Sequence, residues 1–232
     1  MRIALVADLH GNWPATQAIS QALDSLGVEE IWFLGDAVGK GPSNAQTCDW
    51  VRQRCALCVG GNWDYGIGGK QFPADGYYWN QLGPERMAWL NGLPREAEVT
   101  VSGLRFRLFH GRPVTELMVV QDDKRKLGAA FHTELGDFGG VIFADSHRPF
   151  LRTLQEGYLV NTGSVGNSMG VPRAHALLLE GERDSAVPAP LMMSILSVPY
   201  DNQAAVAIAM ADDGLPFRNA YVTEITTGVY SR

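Results

Sequence analysis

Cysteine is scarce in this chain of 232 residues, positive charge is in deficit, and no long apolar run exists. Each shortage removes a class of function. The three cysteines, Cys48, Cys55 and Cys58, are an odd set with no export signal beside them and read as reduced thiols. Cys55 and Cys58 form a C-x-x-C, yet no second pair completes a zinc site. Cys58 lies in Ala56-Leu57-Cys58-Val59, so buried strand cysteines are expected. Lys and Arg number 19 against 25 Asp and Glu, a formal charge of −6, which disfavours an extended nucleic-acid surface. No stretch approaches the ~20 apolar residues of a membrane span. Met1 to Asp8 reaches a charge after six apolar-leaning positions and has no small-residue cleavage site, so it reads as a strand rather than a signal peptide. A cytoplasmic location is therefore expected. Internal repeats, low-complexity tracts and linkers are also missing, and 1–232 is expected to form a single domain. The glycines between Gly61 and Gly69 lack the spacing and lysine of a P-loop.

With hydrophobic residues at 46%, there is material for a large core. Ile3 to Ala7 is a short apolar run, as in a strand covered on both faces. Asn12 suits an N-cap, Pro14 a first helical turn and Gly27 a stop, and Ala15, Ile19 and Leu23 recur on one helical face. Ile31 to Leu34 is a second strand. Ser43 heads a helix through Trp50 and Val51, and Ala56 to Val59 is a third strand. This βαβαβ unit predicts a parallel sheet. Tyr65 to Asn80, rich in glycine and aromatics, reads as a loop, and Pro84 to Leu93 as a helix. Hairpins are expected at Ser102-Gly103 and Glu156-Gly157, a helix over Lys124 to Leu135, and a strand over Val141 to Ala144. Late strands follow over Ala174 to Leu179 and Met192 to Val198, then a helix over Asp201 to Met210 and a weakly patterned tail.

The polar residues collect where strands end. Asp8-Leu9-His10, Gly35-Asp36, Gly60-Gly61-Asn62-Trp63-Asp64, His110 and Asp145-Ser146-His147 each follow an expected strand. Open α/β sheets bind ligands at the carboxyl ends of their strands. A lone Asp or His there is ordinarily a turn residue; the coincidence at several strands points to a site. In extended backbone, Asp8 and His10 would point the same way, and Gly35, Gly60 and Gly61 would let the chain turn without a Cβ in the way. Mixed oxygen and imidazole donors suit Mn, Fe or Zn better than calcium.

In this order the motifs resemble those of the calcineurin-like metallophosphoesterases, nearest their compact bacterial branch of phosphodiesterases and dinucleoside polyphosphate hydrolases. The likeness continues through Asn161-Thr162-Gly163-Ser164-Val165-Gly166-Asn167, Val198-Pro199-Tyr200-Asp201 and Thr227-Gly228-Val229-Tyr230. It implies a four-layer αββα sandwich of two mixed sheets and two divalent metal ions. One ion would be held by Asp8, His10, Asp36 and His147, the other by Asp36, Asn62, His110 and Asp145, with Asp36 bridging. Asp36, Asn62 and Asp64 would serve catalysis, Asp64 from behind the ligands, while the loop 161–166 would close the site. The reaction implied is attack of metal-activated hydroxide on a phosphodiester or phosphoanhydride, and the partner a small, nucleotide-type phosphorylated substrate.

Two departures from the family pattern matter. Gly-Asn-His-Asp reads Gly61-Asn62-Trp63-Asp64, removing the imidazole credited with protonating the leaving group. Gly-His-Thr-His reads Ala144-Asp145-Ser146-His147, exchanging an imidazole ligand for a carboxylate. A poor acid favours a leaving group that departs unaided, such as a nucleotide phosphate. A regulatory nucleotide binder with a weakened metal site, a protein Ser/Thr phosphatase and a homo-oligomer remain open alternatives. Lys40 and Arg148 are candidates for substrate phosphate or solvated loop cations. Tyr77, Tyr78 and Trp79 are candidates for base stacking or lid packing. His132, in an expected helix, and His175, in an expected strand, read as structural.

Overall fold

Residues 1–134 and 136–231 are described by the structure, a computed structural model. In chain order the elements begin β1 (Arg2–Val6), α1 (Trp13–Ser25), β2 (Glu30–Leu34), α2 (Asn44–Arg54), β3 (Leu57–Val59), α3 (Asn62–Gly68) and α4 (Gly76–Asn91). They continue with β4 (Glu96–Val101), β5 (Leu104–Phe109), α5 (Lys124–Gly128), β6 (His132–Thr133), β7 (Gly136–Asp137) and β8 (Gly140–Phe143). The last are β9 (Phe150–Thr153), β10 (Tyr158–Asn161), β11 (Ala174–Glu180), β12 (Met192–Val198), α6 (Asn202–Met210) and α7 (Arg218–Thr227).

Alternation along β1 sets the layers. Ile3 and Leu5 point into a core shared with Phe106, Leu108, Ile142 and Val160 of the second sheet, while Ala4 and Val6 face Ile19 and Leu23 of α1. The first sheet has the order β12-β11-β1-β2-β3 and the second β4-β5-β8-β10-β9. Both are mixed: β1, β2 and β3 run parallel, and β11 and β12 add antiparallel partners on the β1 side. In the second sheet β5, β8 and β10 run parallel, flanked by antiparallel β4 and β9. The outer face of this sheet buries Val141, Phe143 and Leu159 against Leu127 and Phe131, a thin fourth layer built around α5. The result is the αββα sandwich. Among the described residues, no helix is long and apolar enough to cross a membrane.

The Asn12 side chain accepts from the Ala15 N–H at 3.2 Å, capping α1, and both expected hairpins form. Ser43 precedes α2 but makes no side-chain capping bond. Elsewhere the structure departs from expectation. The stretch 65–80 is not a loop: α3 begins at Asn62, with the Asp64 carboxylate accepting from the Gly61 N–H at 3.0 Å, and α4 starts at Gly76. Tyr78 and Leu82 are buried on α4, which kinks at Gly83 where φ is 68°. The helix expected over 124–135 stops at Gly128, whose missing Cβ admits Glu156; a 3-10 turn follows over Ala129–Phe131. Its expected end, Leu135, lies outside the described residues. His132 accordingly sits in a strand, beside Asp137. The weakly patterned tail contains α7. Cys48 is buried in a helix and Cys55 and Cys58 are half-buried, all as free thiols.

His175, on β11, is buried between the hydroxyls of Ser168 at 2.6 Å and Ser197 at 3.2 Å. Burial, and then the charge of Arg173, hold its imidazole down to about 4. The ordinary value is about 6.5, so the unfolded chain takes up the proton first. Stability is complete above that value and is lost as pH falls through 6.5 toward 4. Urea unfolding of metal-free protein at pH 7 and pH 4.5 should show wild type losing on the order of 2 kcal/mol more than His175→Gln. Equal losses would show that His175 is not held neutral.

Candidate metal centre

The carboxyl ends of β1, β2 and β3 in one sheet, and of β5 and β8 in the other, deliver Asp8, Asp36, Asn62, His110 and Asp145 to one edge. The backbone there is not extended. Asp8, His10, Asp36, Asp145 and His147 have φ of 54°, 46°, 61°, 62° and 58°. This left-handed region is costly for residues with a Cβ and persists where surrounding structure enforces it. The enforcement is visible: the Asp8 N–H donates to Gly35 O at 2.9 Å and the His10 N–H to Asp36 O at 3.2 Å. Two glycines permit the crowding. A Cβ on Gly35 would come within 2.7 Å of His110 Nδ1, and one on Gly61 within 2.1 Å of Asp36 Oδ1.

Two groups of potential ligands result, Asp8 with His10 and His147, and Asp8 with Asp36 and His110. Asp8 Oδ1 stands 3.2 Å from His147 Nε2, 3.6 Å from His10 Nε2 and 3.8 Å from His110 Nε2. Asp36 Oδ2 is 3.3 Å from His110 Nε2 and 3.7 Å from His10 Nε2, so it too lies between the groups. All five of these residues are buried.

The donor set fits divalent cations on two observations. Both Asp8 oxygens, Asn62 Oδ1 and His110 Nε2 are buried without a hydrogen-bond partner, a state proteins rarely leave unexplained. Each imidazole also has an acceptor for its Nδ1 proton: Val38 O at 3.1 Å for His10, Leu34 O at 2.7 Å for His110 and Asn167 O at 2.7 Å for His147. That arrangement aims the Nε2 lone pairs inward, as in metal-binding histidines. His10 and His147 then face each other Nε2 to Nε2 at 3.2 Å, a contact suited to a shared cation.

Charge follows the same logic. Burial would raise the Asp8 carboxyl, but His147 and His110 overcome it and hold it well below the usual range. Burial would lower His110, and the charges of Asp36 and Asp8 push it well above its ordinary value instead. His10 is lowered, chiefly by burial. The carboxylates thus hold positive charge at this point, in the form of protons that a bound cation would displace.

Behind the groups lies a layer of fixed hydrogen bonds. Asp64 accepts from the N–H groups of Asp36 at 2.7 Å, Ala37 at 2.9 Å and Gly61 at 3.0 Å. Burial, and then the charge of Asp36, push its carboxyl up to about 7 against the pull of these donors. Asn161 donates to Ala144 O at 2.6 Å and Ser146 Oγ at 3.1 Å, and Ser164 Oγ to Asp8 O at 2.8 Å, so the loop 161–167 ties β1 to the 145–147 turn. Asn167 Oδ1 also lies 3.0 Å from His147 Nδ1 and accepts from Lys40 Nζ at 3.0 Å. Lys40 pairs at 2.9 Å with the buried Glu224 of α7. Lys40 is therefore a brace behind His147 rather than a free loop cation.

Asp145 belongs to neither group. Its Oδ1 is 3.9 Å from His110 Nε2, and Arg112 grips it from Nη2 at 2.7 Å and Nε at 3.0 Å. Nothing in the sequence singled out Arg112 except its place two residues after His110, and Glu224 carried no signal at all. Trp63 sets its ring edge-on to His10, centroids 5.7 Å apart, and a Cβ on Gly39 would come within 2.3 Å of the indole. Trp63 N–H donates to Asp36 Oδ1 at 2.9 Å. Tyr77 and Tyr78 lie on α4, the first bonded to Asp212 at 2.6 Å and the second packed edge-on to Trp63. Asp36, Asn62, Trp63, Arg112, Asp145 and Arg148 are among the walls of a cavity of about 660 Å³.

Two buried carboxylates, three inward imidazoles and an orphaned amide at the meeting edge of two sheets form a centre suited to divalent metal ions, and with the family match that follows they mark a metal-dependent phosphoesterase. The chain belongs to the calcineurin-like phosphoesterase superfamily, whose domain model matches residues 1–184. It is similar to a metallophosphoesterase from Sphaerobacter thermophilus, with 25% identity, a TM-score of 0.75 and 99% of each chain covered. A hypothetical protein from Pyrococcus horikoshii OT3 shares the fold at a TM-score of 0.81 and 17% identity, again over 99% of each chain. An uncharacterized protein of Methanocaldococcus jannaschii is 27% identical over 229 residues, which is 88% of this chain and 89% of that protein.

Proposed function

We propose that the chain hydrolyses a phosphoanhydride, or a phosphodiester with an equally good leaving group, on a nucleotide-type substrate. The carrying observation is Trp63, packed against His10 where the family pattern has an imidazole. An indole N–H is no acid at ordinary pH, so an alkoxide leaving group would go unprotonated, whereas a phosphate whose last pKa is about 6 departs without help. Two divalent cations, Mn, Fe or Zn by their donors, would supply the Lewis acidity that polarises the phosphoryl group and acidifies the attacking water. Asp8, His10 and His147 would hold one, and Asp8, Asp36, Asn62 and His110 the other. Asp64 fixes the Asp36 turn through three backbone N–H groups. Asp145 holds Arg112 at the cavity wall, where its guanidinium can meet substrate phosphate, and borders His110 as a further oxygen donor. Ligands come from both sheets, so the reading treats 1–232 as one catalytic unit.

A hydrolysis screen with added manganese, over dinucleoside polyphosphates, aryl and alkyl phosphodiesters and phosphomonoesters, tests this. Anhydrides and aryl diesters should lead, with alkyl monoesters slowest by on the order of 10²-fold. Preference for alkyl monoesters would overturn the substrate reading and leave the family assignment untouched.

A further inference from the structure

Among the described residues, Lys40, Arg112 and Arg148 are the cations on the wall of the cavity at the metal groups. They differ in what already holds them. Lys40 is matched by Glu224 at 2.9 Å and Asn167 at 3.0 Å, so its charge is taken up behind His147. Arg112 is matched by Asp145, which accepts from Nη2 at 2.7 Å and from Nε at 3.0 Å. Arg148 is exposed and, among the described residues, forms no hydrogen bond or ion pair.

Each arginine follows a candidate ligand. Arg112 comes two residues after His110, of the Asp8–Asp36–His110 group, and Arg148 directly after His147, of the Asp8–His10–His147 group. The backbone that carries Arg148 is fixed on both sides. His147 is held by Asn167 O at its Nδ1, and its own carbonyl accepts from the Met169 N–H at 3.1 Å. Pro149 locks the next φ and sits so near Gly163 that a Cβ there would come within 3.0 Å of the ring. A guanidinium with no partner therefore stands on an anchored base, one residue from the metal centre. An ordinary solvated cation has no such footing.

We infer that Arg148 binds the leaving phosphate of an anhydride substrate, a second phosphate beyond the one held at the metal groups. In that hydrolysis the water oxygen forms the new bond to phosphorus and its proton passes to solvent. The bond to the bridging oxygen breaks, and that oxygen keeps the electron pair. The leaving phosphate thus gains negative charge, and Trp63 has no proton to give it. A guanidinium meets that charge without a proton, through two parallel N–H···O bonds to phosphate oxygens. An alkyl or aryl leaving group has no pair of anionic oxygens for that fork. The inference rests on the phosphoesterase reading above and deepens it, because it selects anhydrides over activated diesters.

Equilibrium dialysis of the manganese-loaded protein against methylphosphonate and methylenediphosphonate, at one fixed free manganese concentration, tests the site without hydrolysis. The second probe adds one anionic group and has no cleavable bond. Wild type should bind it about tenfold or more tightly than the first. Arg148→Gln should bring that ratio to about threefold or less, and Arg148→Lys, which keeps the charge but not the fork, should fall between. With metal content equal in all three proteins, kcat/KM for a dinucleoside polyphosphate should fall by about 10- to 100-fold in Arg148→Gln, and for an aryl phosphodiester by no more than about threefold. A wild type that binds both probes alike, or a ratio that survives Arg148→Gln, overturns the site, whatever the protein hydrolyses. Equal losses on both substrates would also overturn it and assign Arg148 to the shape of the His147 turn. If the ratio depends on Arg148 and yet no anhydride is cleaved, the site stands and the proposed reaction fails.

Discussion

Asp8→Asn is expected to lower metal-dependent kcat/KM by on the order of 10³-fold or more, because Lewis-acid stabilisation worth several kcal/mol is lost. Asp8 is the residue common to both ligand groups, and its oxygens have no hydrogen-bond partner. An amide there keeps the shape but gives up the charge that holds positive charge between three imidazoles. Single-group variants should behave differently. His147→Ala removes a donor from the Asp8–His10–His147 group only, and His110→Ala from the Asp8–Asp36–His110 group only. Metal analysis after dialysis should therefore find each of those proteins short of one ion and Asp8→Asn short of both. Asp36→Asn should resemble Asp8→Asn, since Oδ2 lies within 3.7 Å of an imidazole from each group. A folded Asp8→Asn protein with near-wild-type rates would end the two-metal reading.

Much of this centre was legible because strand ends are legible. Apolar runs stop abruptly before Asp8, Asp36 and Asp145, the alternating strand Leu104–Phe109 stops at His110, and a parallel sheet aligns such ends. What period and propensity could not show is how the chain turns there. Asp8 and His10 converge through left-handed backbone and not through the extended spacing that their i, i+2 relation suggests. Glycine misled in 65–80, where Gly66 and Gly68 read as loop signals. In the fold they lie in α3, and a Cβ on Gly68 would meet Met87 O at 2.8 Å. The ion pair of Asp145 with Arg112 and the brace of Lys40 on Glu224 are tertiary contacts, spanning 33 and 184 positions. No local pattern encodes them.

Trp63→His is expected to raise the hydrolysis of alkyl phosphodiesters by about 10- to 100-fold, a part of the 10² to 10⁴ that a well-placed general acid supplies. Anhydride cleavage should change by no more than a few-fold, because that leaving group needs no proton. Across aryl diesters of graded phenol acidity, wild type should show a steep dependence of log kcat on leaving-group pKa, and the variant a shallower one. The smaller ring leaves space beside Gly39, which carries no side chain to close it, so the variant is to be compared at a temperature where both proteins are fully folded. A flat dependence in wild type would mean that another acid serves the site. Asp75 on the cavity wall is then the residue to change next, since burial holds its carboxyl above the usual range.

His147 owes its orientation to Asn167, and Asn167 is held by Lys40 from one side and Glu224 from the other, the Nδ2 bond to Glu224 measuring 3.0 Å. Glu224 lies in α7, beyond residue 184 where the family match ends. During synthesis the chain has every candidate ligand once His147 has emerged, and the Asn167 carbonyl can hold its Nδ1 soon after, but the Asn167 side chain stays unbraced until the last helix docks. Completion of the Asp8–His10–His147 group is accordingly a late step of assembly. A chain halted before Glu224 would hold a cation in that group less firmly than the whole chain, with the His110 side unaffected.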